Sequence, residues 1–404
     1  MFRPKYYCFA FIALLFLSCA KETIPDNPVE VILPPDEEEK VESNILSLSF
    51  PITYSKSTLE TVINLAVDQD HNFTVEDVSS FKITYQTRNY ENSIQEASGV
   101  VFLPKETEPK GIVFLQHSTI ESNDDAPTNG RIGVNEYTLG SIYAASGYLT
   151  LMPDHIGYGS TSSERHLYEV KQAYTLPSYD MLRAGHSFLT DMEFEIPEPL
   201  FLVGYSNGGY ASLAFHQYLE EETEVEITST YAGAGAYDKS TFAKSILSKD
   251  EDLTFIGTYL WVLDVYNSLY PRLNRDWNEY LQEPYASTLE SLGEIRASVP
   301  DSLISLNPKN LFTENFINGI LDGTDEVFLE EISKNDVIDW SPKAPINLYH
   351  GTLDDFVFPV NSENAFESLR SNGGTVEYKT IEGKDHQAAA IPFFLELLEA
   401  LQSN

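Results

Sequence analysis

Leu200-Phe201-Leu202-Val203-Gly204-Tyr205-Ser206-Asn207-Gly208-Gly209 is the stretch on which the architecture turns. Its four leading apolar residues make a short strand, and the spacing of Ala211, Leu213, Ala214, Phe215 and Tyr218 after it is that of a helix. The chain must therefore reverse inside Gly204-x-Ser206-x-Gly208. So tight a reversal holds the serine in a strained backbone conformation with its Oγ exposed, and glycines at 204 and 208 remove Cβ atoms that would collide there. The first helical turn aims partial positive charge at the same point. Ser206 is thus a candidate nucleophile, with the backbone N–H of Asn207 as one donor to an oxyanion formed beside it.

Outward from this turn, strands and helices alternate. Residues 111–116 and 148–152 are short apolar runs of the kind buried on both faces of a sheet, 137–146 and 178–190 have helical spacing, and 227–232 is a further strand. Two earlier segments, 81–87 and 98–103, also predict strands; in the first, Phe81, Ile83 and Tyr85 alternate with Lys82, Thr84 and Gln86. After residue 237 the alternation stops for about a hundred residues rich in Tyr and Trp, then resumes at 346–349 and 376–379 before a closing helix over 391–401. The pattern predicts an α/β domain over residues 46–404, with a mostly parallel sheet between helices and a helical cap over about 238–340.

A serine hydroxyl attacks only when a base takes its proton. In this architecture the chain order is serine, then acid, then histidine. Of the eight histidines, His216, His350 and His386 follow Ser206. His216 sits ten residues down the helix, about 15 Å away at about 1.5 Å per residue, and cannot reach back. His350 ends a strand and reads as a turn residue bonding backbone. His386, in Gly383-Lys384-Asp385-His386, stands in the loop between the last strand and the last helix, where open α/β sheets carry their catalytic groups, and is the expected base. Strand 346–349 delivers Asp354 and Asp355 to the same edge, to bond the histidine Nδ1–H and stabilise the imidazolium. The second oxyanion donor is expected from the loop after strand 111–116, at Ser118 or Thr119.

The N-terminus has an export layout: Arg3 and Lys5, then an apolar run over 6–17 too short to span a bilayer. Phe16-Leu17-Ser18-Cys19 resembles the lipobox of bacterial lipoproteins, which implies cleavage after residue 18 and lipidation of Cys19. Cys8 leaves with the signal, so the mature chain keeps no disulfide, no thiol nucleophile and no zinc-thiolate cluster. Residues 19–45, rich in Pro, Asp and Glu, read as a solvated tether, and their acidic run as solvated charge without a metal. The net charge of -37 argues against nucleic acid as a partner, since nothing offsets phosphate repulsion. Nothing calls for a metal or a cofactor.

Taken together, residues 46–401 resemble the α/β-hydrolase superfamily. Gly204 to Gly208 is similar to its nucleophile elbow. His350-Gly351-Thr352-Leu353-Asp354-Asp355 resembles the acid-bearing turn of prolyl-oligopeptidase-like members, in which the first aspartate serves, and this favours Asp354; Asp385-His386 resembles their histidine turn. Phe81 to Thr87, Ala97 to Pro104 and Pro153-Asp154-His155-Ile156-Gly157-Tyr158-Gly159-Ser160 look closer to the secreted lipase and esterase branch, where Asp154 and Asp180 are scaffold features. Superfamily members often carry His-Gly after the strand that here ends in His117-Ser118, which keeps Ser118 and Thr119 both open as donors. The lipobox with Lys21-Glu22 behind it resembles surface lipoproteins of the Bacteroidetes type.

The resemblance implies a serine hydrolase acting on carboxylic esters through an acyl-enzyme, with Ser206, His386 and Asp354 as its triad. Two rivals differ in class: a peptidase of prolyl-oligopeptidase type, and a non-catalytic surface binding protein. Absence of a β-propeller segment before the domain counts against the first, and a complete set of three side chains against the second. The expected partners are a small-molecule or polysaccharide-borne ester and, through the lipid anchor, the outer membrane or cell surface.

Overall fold

The structure is a computed structural model that describes residues 43–66, 75–133 and 135–403. The export segment, Cys19 and the tether up to residue 42 lie outside the described residues. The chain enters with β1 (Ile45–Leu48), β2 (Ile52–Tyr54), α1 (Lys56–Ala66), β3 (Val78–Arg88), β4 (Ile94–Pro104) and β5 (Ile112–Gln116). It continues through α2 (Asn135–Ala145), β6 (Leu149–Pro153), α3 (Lys171–Asp191), β7 (Leu200–Tyr205), α4 (Asn207–Glu222) and β8 (Ser229–Gly233).

Helices α5 (Lys239–Leu247), α6 (Ile256–Leu269), α7 (Trp277–Tyr280), α8 (Tyr285–Leu292), α9 (Pro308–Leu311), α10 (Glu314–Leu321) and α11 (Glu326–Ser333) follow as one insert. Then β9 (Ile346–Gly351), α12 (Val360–Ser371), β10 (Val376–Ile381) and α13 (His386–Ser403) close the chain.

Among the described residues the strands form one sheet in the order β1-β3-β4-β6-β5-β7-β8-β9-β10, with β2 pairing β3 at the edge. From β6 to β10 every neighbouring pair is parallel, whereas β3, β4 and β6 run antiparallel. The reason is covalent: a short turn joins β3 to β4, but from β5 onward each strand is followed by a helix that carries the chain back. Strand β3 alternates as its sequence demands, Ile83 and Tyr85 buried, Lys82 and Gln86 exposed. Strands β5, β6 and β7 are buried throughout.

Both faces are covered. On one, Ile142, Tyr143, Phe393 and Leu397 from α2 and α13 pack on the sheet; on the other, Met181, Leu182, Phe188, Phe215 and Leu219 from α3 and α4 do so. Each such side chain contributes about 1.5–3 kcal/mol of burial free energy. The insert has an aromatic core of its own, with Trp261, Tyr266, Tyr280, Phe316 and Phe328 buried together.

Two helices start well before the sequence expectation. Helix α3 starts at Lys171 rather than 178 and runs through Pro177, because buried Ala173 and Tyr174 pay for the lost backbone bond. Helix α13 starts at His386 rather than 391 and carries Pro392 inside it. No helix of the described residues is long and apolar enough to cross a membrane.

Candidate active site

Ser206 stands between β7 and α4 with φ 57° and ψ -124°, a left-handed conformation that costs a non-glycine residue about 1–3 kcal/mol. Its N–H donates to Gly233 O at 2.8 Å, which ties the strained residue to the neighbouring strand. A Cβ on Gly204 would fall on Gly208 O, and one on Gly208 on Gln116 O, so neither position admits a side chain without opening the turn.

The structure brings Ser206, His386 and Asp354 together. His386 Nε2 lies 2.8 Å from Ser206 Oγ, and His386 Nδ1 lies 2.6 Å from Asp354 Oδ2. The other carboxylate oxygen, Oδ1, accepts the N–H of Phe356 at 3.0 Å and of Val357 at 2.9 Å. Asp355 is exposed. Burial alone would raise the Asp354 carboxyl, but hydrogen bonds from His350 and His386, with their charges, outweigh it and bring the group down to about 2. The carboxylate is therefore ionised at neutral pH and acts as acceptor only.

His386 is not a loop residue. It is the first residue of α13, and Asp385 Oδ1 caps that helix by accepting Ala388 N–H at 2.8 Å. Tyr205 fixes it from behind, its OH donating to His386 O at 2.6 Å. His350 does bond backbone, Nε2 to Val357 O at 2.6 Å, but the same nitrogen is 3.1 Å from Asp354 Oδ2. Sequence reasoning missed this second partner of the acid. His216 pairs with Thr230 and Glu220 and takes no part.

Of the groups considered as oxyanion donors, the N–H of Ser118 is already engaged, donating to Glu136 Oε1 at 2.9 Å, and its hydroxyl donates to Tyr205 O at 3.0 Å. The N–H groups of Thr119 and Asn207 have no acceptor among the described residues. Thr119 Oγ1 lies 2.6 Å from Tyr168 OH, and the Asn207 side-chain oxygen accepts Tyr174 OH at 2.8 Å. The preceding His117 is wedged between the carbonyls of Ser118 at 2.7 Å and Asp154 at 3.0 Å, which fixes the loop. Asp154 is buried and its carboxylate takes Thr128 N–H, Thr128 Oγ1 and Ser98 Oγ, at 2.8, 2.7 and 2.5 Å. Asp180 accepts Thr87 Oγ1 at 2.8 Å. Both are scaffold contacts.

Ser206 opens onto two spaces. A narrow one of about 120 Å³ runs into the insert between Phe242, Ile246, Tyr259, Val262, Phe316 and Phe328, and is almost wholly apolar. A wider cleft of about 810 Å³ spreads over α2 and α13, past Ser118, Thr119, Glu136, His386 and Phe394. Two charged side chains line the apolar tunnel, Glu169 and Lys239, paired with one another and buried. Nothing in the sequence around them marks them out, since Glu169 stands in an ordinary loop and Lys239 at an ordinary helix start.

Residues 131–394 match the family model described as secretory lipase. No curated protein sequence matches the chain. Among solved structures, a Legionella pneumophila protein described as a hydrolase superposes with TM-score 0.78 at 23% identity, over 89% of this chain and 97% of that one. The rice cell wall degrading esterase from Xanthomonas oryzae gives 0.74 at 19%, over 90% and 97%. Candida antarctica lipase A in its closed state gives 0.63 at 16%, over 89% and 82%. These likenesses establish the α/β-hydrolase fold.

Proposed function

This chain belongs to the secretory lipase family, and on that premise we propose that it hydrolyses carboxylic esters by a serine mechanism. Ser206 Oγ attacks the ester carbonyl while His386 Nε2 takes its proton; His386 then gives that proton to the departing alcohol. Water cleaves the acyl-enzyme under the same base. Asp354 holds the imidazole with Nδ1–H toward the carboxylate, and the N–H groups of Asn207 and Thr119 receive the oxyanion. The observation that carries the reading is the continuous line from Asp354 Oδ2 through His386 to Ser206 Oγ, with contacts of 2.6 and 2.8 Å.

The insert acts as the cap expected over about 238–340, and its apolar tunnel takes the acyl chain, for which dry, aromatic-lined walls are suited. The alcohol half lies in the wider cleft. A binding protein without chemistry has no use for a strained serine bonded to a histidine. The test is labelling by a fluorophosphonate probe together with hydrolysis of acyl esters and of aminoacyl and prolyl amides. Wild-type protein should label and cleave esters in preference to amides, and Ser206→Ala should do neither; an Ser206→Ala protein that still hydrolyses esters sinks the assignment.

Export also belongs to this reading. The family is described as secretory, and the lipobox-like Leu17-Ser18-Cys19 supports a lipid anchor at Cys19 that holds the enzyme at the outer membrane or cell surface. Cys19→Ala should release activity from the membrane fraction into the soluble one.

A further inference from the structure

Almost every polar group that lines the tunnel is already satisfied from within. The hydroxyls of Tyr168, Tyr259 and Tyr266 meet Thr119 Oγ1, Phe356 O and Glu169 O, each at 2.6 Å, and Thr258 meets Ser298 at 2.6 Å. Lys239 Nζ donates to Glu169 Oε2 and to Ala236 O, and lies 3.5 Å from the centre of the Tyr210 ring. Glu169 Oε1 is different. It takes no hydrogen bond from any described residue, and the buried side chain that carries it lines the tunnel.

Stability does not explain the pair. A buried ion pair is often no better for folding than apolar residues of the same volume. Glu169 is moreover held at φ 61°, a conformation that a side-chain-bearing residue adopts at a cost and that clusters at ligand sites.

We propose that Glu169 Oε1 is a recognition point for a hydroxyl group carried on the acyl chain, so that the preferred substrates are esters of hydroxylated rather than plain aliphatic acids. The inference rests on the reading that the tunnel takes the acyl half. A plain chain strips water from the carboxylate oxygen and returns nothing, whereas a chain hydroxyl restores a charge-assisted bond. Such a bond is worth roughly a 10- to 100-fold preference in kcat/KM.

The experiment is a scan with wild-type protein over esters of one straight-chain acid, unsubstituted and hydroxylated at each successive carbon. The kcat/KM ratio of hydroxylated to plain ester should peak about tenfold or more above unity at one position. In the Glu169→Leu, Lys239→Met double variant the peak should fall to about one, and because the ratio is taken within each protein, a general loss of folded enzyme cancels. A flat scan in the wild type overturns the proposal without any variant, and so does a peak that survives the double substitution. Failure to cleave any ester would overturn it by another route, since the ester-hydrolase reading beneath it would then have failed.

Discussion

Asp354→Asn separates the charge of the acid from its shape. Asp354 Oδ1 accepts two backbone N–H groups, from Phe356 and Val357, so an amide placed there must keep its oxygen on that side. Its NH2 is then forced to the Oδ2 side, 2.6 Å from His386 Nδ1. An NH2 can only donate, so His386 must accept at Nδ1 and move its proton to Nε2, where it points at Ser206 Oγ 2.8 Å away. The imidazole now carries a proton where it should receive one. The expected loss in kcat is about 10⁴-fold, or about 5.5 kcal/mol of transition-state stabilisation.

His350 worsens the fit, because its Nε2–H faces the same position and would meet a donor instead of a carboxylate. The assay is steady-state hydrolysis of a chromogenic ester at saturation, with circular dichroism to establish that the variant is folded. Asp355→Asn, at an exposed side chain, serves as the control and should stay within about twofold of wild type. Retention of kcat within tenfold by a folded Asp354→Asn protein, or an equal loss from Asp355→Asn, would refute the reasoning.

Gly208→Ala puts a Cβ onto Gln116 O and must open the turn, so thermal stability and activity should fall together, the latter by about 10²-fold for an ångström-scale shift of Ser206; calorimetry and kcat on one preparation check it. Tyr205→Phe removes the hydroxyl bonded to His386 O, and should cost about 1 kcal/mol in urea unfolding. Burial pushes the Asp336 carboxyl up to about 7, against a hydrogen bond from Lys239 N–H and with the charge of Asp238 adding to the rise. Because the folded protein binds that proton more tightly than the unfolded chain, the stability it contributes is complete below about pH 4 and is lost as pH rises through about 7. Asp336→Asn should therefore flatten the decline in Tm between pH 4 and 8, and a slope equal to that of wild type would contradict the assignment.

Strand β7 and helix α4 announce themselves because an apolar run followed by helical spacing is a property of neighbours in sequence, and the glycines of the turn follow from the reversal itself. Asp354 and His386 were legible for a related reason: each follows a late strand, and strand ends on an open sheet converge. Boundaries set by distant packing were less legible. Pro177 looks like a helix breaker until buried Tyr174 is seen bonding the Asn207 side chain, and His386 looks like a loop residue until Asp385 is seen capping α13.

The amino-acid sequence alone determined the order of the elements and the residue types able to do nucleophilic chemistry, since both depend on short-range periodicity and side-chain functional groups. Only the tertiary structure decided which groups meet. It joined Ser206 to His386 across 180 residues, gave Asp354 a second histidine, occupied the Ser118 N–H with Glu136, and set a buried Glu169–Lys239 pair in the wall of an apolar tunnel. Those outcomes depend on distances between segments that have no pattern in common, and a distance of that kind exists only once the chain has packed.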